Sequence, residues 1–396
     1  MISVREAQEL ILSKASLAPP ETVELEHALG KILAEDITAD RDYPPFNRAA
    51  MDGYAFRLAD YAPDTPFYVA GELFAGHAWE SEIPFRHCLK IMTGAATPPE
   101  LDCLLQVEWA QFNPSKNEVL FPDALPKMWQ NIARKGEDCE AGFILLHEGA
   151  LLNPSEIATL AVVGKKKVAI RKVPKVAILS TGDELVPLGH PVSPFQIRDS
   201  NAFALQAFFQ ALRIPVARKE IVPDDPGQLH NMIQEVLSFD MVLLSGGVSM
   251  GDADYVPMTL RTLGVSQIFH KVQLKPGKPL WFGQSPSGGV VFGLPGNPMS
   301  CQVCFKLFIE PYVKACWGMP SPPLSSFPLF SQKKKKVKLD EYFPVQLREG
   351  TLFPLEFNGS GDITSLLGST GIALHPSESE DLPQGTNSTY LPWSVS

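Results

Sequence analysis

The chain has 396 residues, of which 45% are hydrophobic and 20% are charged; this is the composition of an ordinary folded protein, and the length suggests about two to four domains. Its formal net charge of −10 argues against a general nucleic-acid-binding protein, which would carry a basic field. No apolar run approaches a membrane span, the first residues do not form a secretory signal, and six cysteines are too few for a disulfide framework, so we expect a cytoplasmic protein without membrane segments.

The first predicted elements are an N-terminal helix and a β-rich segment. Ser3 and Glu6 form a capping box ahead of an amphipathic helical pattern. Residues 44–140 are rich in proline, aromatic residues and short apolar runs, with little helical periodicity, which favours a β-domain. A short helix then follows, opened by Pro154 and closed by Gly164.

Strands and helices alternate through residues 173–320. One helix is predicted over 199–214, a second is capped by Asp225, a third covers 255–264 and a fourth begins near Pro298. Repeated strand–helix units predict a doubly wound parallel sheet covered by helices on both faces. Residues 321–396 begin with a proline-rich linker and continue as short strands, which fits a small β-barrel or sandwich. The predicted fold class is therefore multidomain, α/β plus β.

Two conspicuous features in the second half of the chain have ordinary structural explanations. Cys301 and Cys304 form a CxxC pair, but they fall on one apolar face of a helical pattern, which favours a buried, reduced pair over a zinc or redox site. The basic block at 333–338 is more typical of a solvated linker or an edge strand than of a nucleic-acid patch.

The loops that follow the predicted strands carry the chemistry, because an open parallel sheet binds ligands outside the carboxyl ends of its strands. Turn chemistry is the ordinary explanation of any single loop, but here every such loop carries glycine, charge or both. Backbone N–H groups near helix starts suit a phosphate or another oxyanion, and they are predicted at Gly246, Gly247, Gly296 and Asn297. Positive charge is added by Lys271, Lys275 and Lys278.

The same loops also carry acids that cannot bind phosphate directly, namely Glu184, Asp224, Asp252 and Asp254. A hard cation resolves the conflict, since Mg²⁺ uses a few carboxylates together with ligand phosphates. The residues alone therefore predict a phosphorylated ligand with Mg²⁺ between it and the acids.

The motifs STGDEL, DSN, SGGVSMGDADY, KPGKP and GLPGNP, in this order, resemble the molybdopterin molybdenumtransferase family of the MoeA type, which includes the E domain of gephyrin and its plant counterpart. PPFNRAAMDGYA (44–55), IMTGA (91–95), NIARKGEDCEAG (131–142) and GSGDITSL (359–366) match the family as well. The resemblance spans nearly the whole chain.

The resemblance implies a subunit of four parts. These are a molybdopterin-binding α/β domain at 1–20 and 173–320, a linking and dimerisation domain at 21–43 and 141–172, an inserted β-domain at 44–140 and a C-terminal β-barrel at 321–396. It also implies a homodimer with the active cleft between the α/β domain of one subunit and the inserted domain of the other.

The implied reaction is that of a transferase late in molybdenum cofactor biosynthesis. Molybdate is inserted into adenylyl-molybdopterin, with Mg²⁺-dependent cleavage of the adenylate and release of AMP. The implied partners are the molybdopterin adenylyltransferase and the recipient molybdoenzymes. Two alternatives stay open: the adenylyltransferase reaction itself, whose single-domain enzymes lack the flanking domains, and a non-catalytic scaffold like the gephyrin E domain.

The resemblance carries site residues over to this chain by position. The implied catalytic residues are Asp52, Thr93, Asp138, Glu184, Asp224, Asp254, Lys271 and Lys275. The implied cofactor-binding residues are Ser245, Gly246, Gly247, Ser249, Lys278, Pro295, Gly296, Asn297 and Pro298. The implied metal ligands are Glu184, Asp224 and Asp254.

The chain departs from the family pattern just before Asp52. Asn47 and Ala49 stand where the family has an acidic residue and a serine, so we assign no ligand contact to residues 47–49. Taken alone, Asp52 would be a turn residue and Thr93 a strand end; the ordered motif set is what favours a functional role for them.

Overall fold

The computed structural model describes residues 1–122, 124–248, 255–319 and 324–394. The chain divides into two compact units: the first comprises Met1–Ala34, Gly149–Asn153 and Val168–Ser396, and the second Glu35–Glu148 and Pro154–Lys167. Within the described residues, none of the helices combines the length and the apolar character that a membrane crossing requires. The four-part division implied by the family resemblance stays a prediction.

The central sheet of the first unit has six strands. Their spatial order is Val216–Val222, Val176–Thr181, Met241–Ser245, Val290–Leu294, Trp281–Gln284 and Ser266–His270. The first four are mutually parallel, as predicted. Trp281–Gln284 is antiparallel to both of its neighbours, because the connection at 285–289 is too short for the crossover that a parallel strand would need.

Helices cover both faces of this sheet, which confirms the doubly wound prediction. Ile178 and Leu243 belong to one core and their neighbours Leu179 and Leu244 to the other, as the alternation of a buried strand requires. The helices of the first core are Val4–Leu12, Asn201–Ala211, Pro298–Cys304 and Glu310–Cys316, with a π-helical segment at Phe305–Ile309; those of the second are Pro226–Val236 and Tyr255–Thr262.

The local signals of the helices are also confirmed. The Ser3 hydroxyl accepts from the Glu6 N–H at the start of the first helix. The Asp225 carboxylate accepts from the Gln228 N–H at 2.8 Å, with Pro226 opening that helix. The CxxC cysteines are free and fully buried, as predicted.

A second sheet of the first unit contains most of the C-terminal segment. Its strands run in the order Leu274–Lys275, Asp340–Arg348, Gly371–His375, Asn387–Pro392 and Ser325–Pro328, with Thr351–Pro354 paired to Asp340–Arg348. The edge strand Leu274–Lys275 comes from the KPGKP motif and pairs in parallel with Asp340–Arg348. This sheet therefore takes one of its strands from the lysine loop of the α/β region.

The prediction of a solvated linker or an edge strand at 333–338 is correct only in part. Lys333–Lys334 is a short strand, as expected for an edge, but Lys335 is buried rather than solvated. Its ammonium donates to the carbonyls of Leu339 at 2.8 Å, His375 at 3.0 Å and Pro376. Three carbonyl acceptors match the three N–H donors of an ammonium, which is what makes its burial tolerable.

The second unit contains a six-stranded sheet, which confirms the β prediction for this segment. The strand order is Cys103–Gln106, Gly53–Phe56, His87–Ile91, Phe67–Leu73, Glu118–Leu120 and Gln111–Asn113. The same unit contains the predicted short helix, Pro154–Val162.

The remaining elements are short. Strand pairs join Ile37–Thr38 to Ile144–Leu146, Arg48–Ala49 to Ile132–Ala133, Leu185–Val186 to Ile197–Arg198, and Lys333–Lys334 to Asp381–Leu382. The further strands are Pro20–Glu24 and Lys167–Arg171, and single 3₁₀ turns are formed by Leu25–His27, Leu58–Asp60 and Val107–Trp109.

Candidate active site

A cavity of about 630 Å³ lies at the carboxyl edge of the central sheet. The loops after three parallel strands and the start of the helix Asn201–Ala211 line it, which is where the sequence predicted the ligand. Its lining includes Ser180, Thr181, Glu184, Arg198, Asp199, Asn201, Ser245, Gly246, Gly296, Asn297, Pro298, Gly361 and Ile363.

Asn201 ties two of these loops together. Its side-chain amide donates to the Ser245 hydroxyl at 2.9 Å and to the Gly296 carbonyl at 2.7 Å, and the residue is only 8% exposed. Two hydrogen bonds from one buried amide fix the spacing between the loops. Asn201 belongs to the DSN motif, but the sequence predicted no site role for it.

At Gly246 the backbones of two loops come so close together that only glycine fits. Gly246 has φ +93°, and a Cβ there would lie 2.5 Å from the Thr181 carbonyl oxygen. Its N–H, however, donates to the Leu294 carbonyl at 3.1 Å and is therefore committed to the sheet. The assignment of Gly246 to cofactor binding stays a prediction. Asn297 directly precedes the helix Pro298–Cys304, as predicted.

Two of the acidic loops are joined to each other by a hydrogen bond. Glu184 is exposed and lines the cavity. The Asp224 N–H donates to the Asp183 carboxylate at 3.1 Å, which joins the loop of Asp224 to that of Glu184. The predicted residues Ser249, Asp252 and Asp254 lie outside the described residues. Within the described part of the chain, no group of three or more His, Cys, Asp or Glu side chains could hold a metal by itself.

A second cavity of about 980 Å³ lies beside the KPGKP segment and is strongly basic. Six lysines line it, Lys275, Lys278 and those at 333–336, against two acids, Glu341 and Glu356. Lys271 lines neither this cavity nor the first. It lies on a turn with φ +73°, where its N–H donates to the Leu280 carbonyl.

Asn297 lines both cavities. Its side-chain amide donates to the Ser360 hydroxyl at 3.0 Å, and the Met299 N–H donates to the Ser360 carbonyl at 3.2 Å. The loop that contains Ser360 is the GSGDITSL motif, in which the sequence predicted no site residue. This loop therefore holds the GLPGNP turn at the junction of the two cavities.

Asp362 organises that loop from within. Its carboxylate accepts from the N–H groups of Asn358 at 3.0 Å and Thr364 at 2.8 Å and from the Thr364 hydroxyl at 2.7 Å. These bonds, the Thr364 hydroxyl first, lower the pKa of Asp362.

In the second unit, the structure brings Asp52 and Thr93 into contact. One Asp52 carboxylate oxygen accepts from the Thr93 N–H at 2.7 Å and from its hydroxyl at 2.6 Å. The antiparallel register that pairs Gly53 with Ile91 places them together. The Thr93 hydroxyl and N–H lower the pKa of Asp52, so this exposed carboxylate is held ionised.

The other predicted positions of the second unit lie elsewhere on its surface. Asp138 is exposed on a separate turn, where its N–H donates to the Tyr43 carbonyl at 3.0 Å. Asn47, one of the departures from the family pattern, accepts from the Lys135 N–H at 3.0 Å. It joins two chain segments and thus has a structural role.

Comparisons with known proteins cover both units. Residues 2–164 match the MoeA N-terminal region (domain I and II), and residues 177–315 match the probable molybdopterin binding domain. A molybdopterin molybdenumtransferase of Haemophilus influenzae is 35% identical over 346 residues, which cover 86% of this chain and 85% of the relative. One from Synechocystis is 31% identical over 405 residues, covering 99% and 100%. The crystal structure of a molybdopterin biosynthesis MoeA protein from Pyrococcus horikoshii matches all of both chains with 30% identity and a TM-score of 0.83. The chain therefore belongs to the molybdopterin molybdenumtransferase family, a family of transferase enzymes.

Proposed function

We propose that this protein inserts molybdate into adenylyl-molybdopterin, with Mg²⁺-dependent cleavage of the adenylate and release of AMP, late in molybdenum cofactor biosynthesis. The observation that carries the proposal is the pair of cavities that share Asn297, one lined by acids and hydroxyls and the other by lysines. The proposed substrate carries a phosphate at one end and receives an oxyanion at the other, so each end needs a cavity of different charge and hydrogen-bonding character.

The lysine-lined cavity is the proposed place for molybdate. Molybdate is a dianion, and several ammonium groups around one concave surface raise its local concentration and hold it through charge-assisted hydrogen bonds. Lys275 and Lys278 flank the turn of the KPGKP motif on this cavity. Lys333, Lys334 and Lys336 of the basic block line the same cavity and would add positive charge to it, whereas the Lys335 ammonium is already engaged by three backbone carbonyls.

The first cavity is the proposed place for the adenylyl phosphate. Ser180 and Thr181 line it, and their buried hydroxyls have no hydrogen-bond partner among the described residues. Buried hydroxyls without partners are costly unless a ligand satisfies them. They support a phosphate here, with Asn201 holding the loops at the spacing that the phosphate requires.

The residues present fit a magnesium ion. Mg²⁺ is usually held by one or two carboxylates together with substrate phosphates rather than by a complete protein cage. Glu184 on the cavity and Asp224 on the adjoining loop supply hard oxygen donors of this kind, and we propose that they hold the ion together with Asp254. Bound there, the ion would withdraw charge from the phosphoryl oxygens of the adenylate.

We further propose a homodimer in which the Asp52–Thr93 pair and Asp138 complete the site of the other subunit. The family resemblance and the exposed, preformed Asp52 carboxylate support this proposal. Co-expression of Asp52→Asn with Lys275→Gln tests it, because mixed dimers regain one intact site only if the two residues act across subunits. The recovery expected from random pairing is about a quarter of wild-type activity, and no recovery in proven mixed dimers would exclude shared sites.

We place the reaction in the cytoplasm, after the step of a molybdopterin adenylyltransferase and before transfer of the cofactor to recipient molybdoenzymes. Both of those enzyme classes are proposed partners. Pull-down from a cell extract with each class as the labelled component would test the contacts.

The deciding experiment measures AMP release by chromatography from adenylyl-molybdopterin, with molybdate or Mg²⁺ omitted in turn. We expect AMP only when both are present, and a loss of about 100-fold or more in Glu184→Gln and Lys275→Gln. Glu26→Gln and Lys116→Gln are matched controls, because both residues are exposed and line neither cavity. No AMP in the complete mixture would refute the proposal.

The same assay separates the alternatives. Formation of adenylyl-molybdopterin from molybdopterin and ATP would identify an adenylyltransferase. Tight binding of adenylyl-molybdopterin without any turnover would identify a scaffold.

A further inference from the structure

We propose that Glu341, a residue of the C-terminal sheet, positions the ammonium of Lys275 in the lysine-lined cavity and thereby sets the affinity of that cavity for an oxyanion. The inference rests on the proposed function for the identity of the oxyanion. The geometry on which it stands is independent of that function.

The two residues are fixed opposite each other by strand pairing. Lys275 is the register partner of Glu341 in the parallel pair formed by Leu274–Lys275 and Asp340–Arg348. Glu341 is in turn the register partner of His375 on the next strand. Directly paired residues point to the same face of a sheet, so the three side chains form a row that ends at the cavity. The Lys275 Nζ lies 3.4 Å from the Glu341 Oε1.

Burial along this row is asymmetric. The Glu341 side chain is 4% exposed, whereas that of Lys275 is 46% exposed. The second Glu341 oxygen is buried and has no hydrogen-bond partner among the described residues. A carboxylate held this way costs stability. An ion pair that served stability alone would satisfy both carboxylate oxygens. In this pair the carboxylate of Glu341 is anchored in the interior, and the ammonium of Lys275 is presented to the cavity.

The neighbouring groups leave Lys275 as the partner of this carboxylate. The Lys335 ammonium, which is also buried here, donates to three backbone carbonyls. The His375 ring is fully buried, and burial first and Lys335 second lower its pKa, so the ring is neutral at neutral pH. Among the described residues, Lys275 is the cation within 4.0 Å of the Glu341 carboxylate.

Positioning and simple charge make opposite predictions for removal of the carboxylate. If Glu341 acted only through its negative charge, Glu341→Gln would make the cavity more positive and tighten oxyanion binding. If it positions Lys275, the long, flexible lysine side chain is released into solvent and binding weakens, because ordering it again costs conformational entropy. The direction of the change therefore decides between the two.

The experiment is calorimetric titration of the full-length protein with sodium molybdate at constant ionic strength. We expect Kd to rise about tenfold in Glu341→Gln. The rise in Kd should be equal or larger in Lys275→Gln. The double variant should show no larger rise than Lys275→Gln alone, because the effects of two residues that act through one another are not additive. Glu380→Gln is the matched control, because Glu380 is an exposed acid of the same segment that does not line the cavity. Unchanged or tighter binding in a folded Glu341→Gln, or additive losses in the double variant, would overturn the inference.

Two further measurements keep the test decisive. Glu341→Asp keeps the charge and shortens the reach, so it should bind molybdate with intermediate affinity even if Glu341→Gln does not fold. Acetylation of Lys275 relative to Lys278, followed by mass spectrometry, needs no oxyanion at all. It should become several-fold faster in Glu341→Gln because the ammonium loses its ion-pair partner, and an unchanged ratio would contradict the inference. Failure of the wild-type protein to bind molybdate would count against the proposed function, and the acetylation ratio would still decide the role of Glu341.

Discussion

Gly182→Ala should displace the Glu184 carboxylate without removing it. Gly182 has φ +150°, and a Cβ at this position would lie 2.4 Å from the Glu184 Oε2 and 2.7 Å from its Cδ. The carboxylate is the end of a flexible, exposed side chain, so it will give way before the backbone does. It has to retreat by about 1 Å to reach an ordinary contact distance.

The expected cost to activity follows from that displacement. A misplacement of about 1 Å in a catalytic group can cost about 100-fold in rate, so AMP release should fall about as far as in Glu184→Gln. The strained backbone should add about 1–3 kcal/mol of destabilisation, measured by urea unfolding. The double variant Gly182→Ala with Glu184→Gln should be no slower than Glu184→Gln alone.

Gly189→Ala is the matched control for this experiment. Gly189 also has a positive φ, +83°, but a Cβ there meets nothing within 4 Å. It should therefore destabilise by a similar amount and leave AMP release unchanged. Full activity in folded Gly182→Ala would refute the placement of Glu184, and equal loss in both alanine variants would show that backbone strain alone is responsible.

Three further outcomes are expected. Asn201→Ala should lower the free energy of unfolding by about 2 kcal/mol, because it leaves the Ser245 hydroxyl and a backbone carbonyl without their donor; a urea midpoint equal to wild type would contradict the loop-tying role. Burial raises the pKa of the Cys301 thiol to about 12, so this thiol should resist iodoacetamide at pH 8 until the protein unfolds. Rapid labelling of the native protein, detected by mass spectrometry, would show that the thiol is accessible. Thr93→Val should raise the pKa of Asp52 towards its ordinary value, as followed by NMR titration, and an unchanged titration would mean that the hydroxyl is not the cause of the lowered pKa. Because the pKa of Asp52 is lowered in the folded protein, the stabilisation of the fold by its hydrogen bonds to Thr93 is present above about pH 4 and is lost as the pH falls through the folded pKa.

The parts of the fold that sequence could predict are those with a local physical cause. Ser3 and Asp225 cap helices because their side chains can satisfy N–H groups three residues away, whatever the rest of the chain does. The first cavity was predictable in place because parallel strands bring their carboxyl ends to one edge.

The parts that sequence could not predict depend on register between distant strands. Lys335 reads as one of several solvated lysines in any local window, and only the pairing of the C-terminal strands turns it inward onto three carbonyls. The N–H of Gly246 looks free in a glycine loop, but a carbonyl at the end of a neighbouring strand takes it. Glu341 has no motif around it at all.

The same dependence on register explains why the lysine-lined cavity belongs to two distant stretches of the chain. The KPGKP segment supplies Lys275, but its strand is completed by Asp340–Arg348. The GLPGNP turn supplies Asn297, but Ser360 holds its side chain. Each half of this cavity is therefore incomplete without the C-terminal segment. A chain that ended before residue 324 would keep the strands and helices of the central sheet, but it would lose Gly361 and Ile363 from the first cavity and Glu341, the proposed partner of Lys275. If Glu341 orients Lys275 as proposed, Glu341→Gln should weaken molybdate binding and leave affinity for the adenylyl group intact.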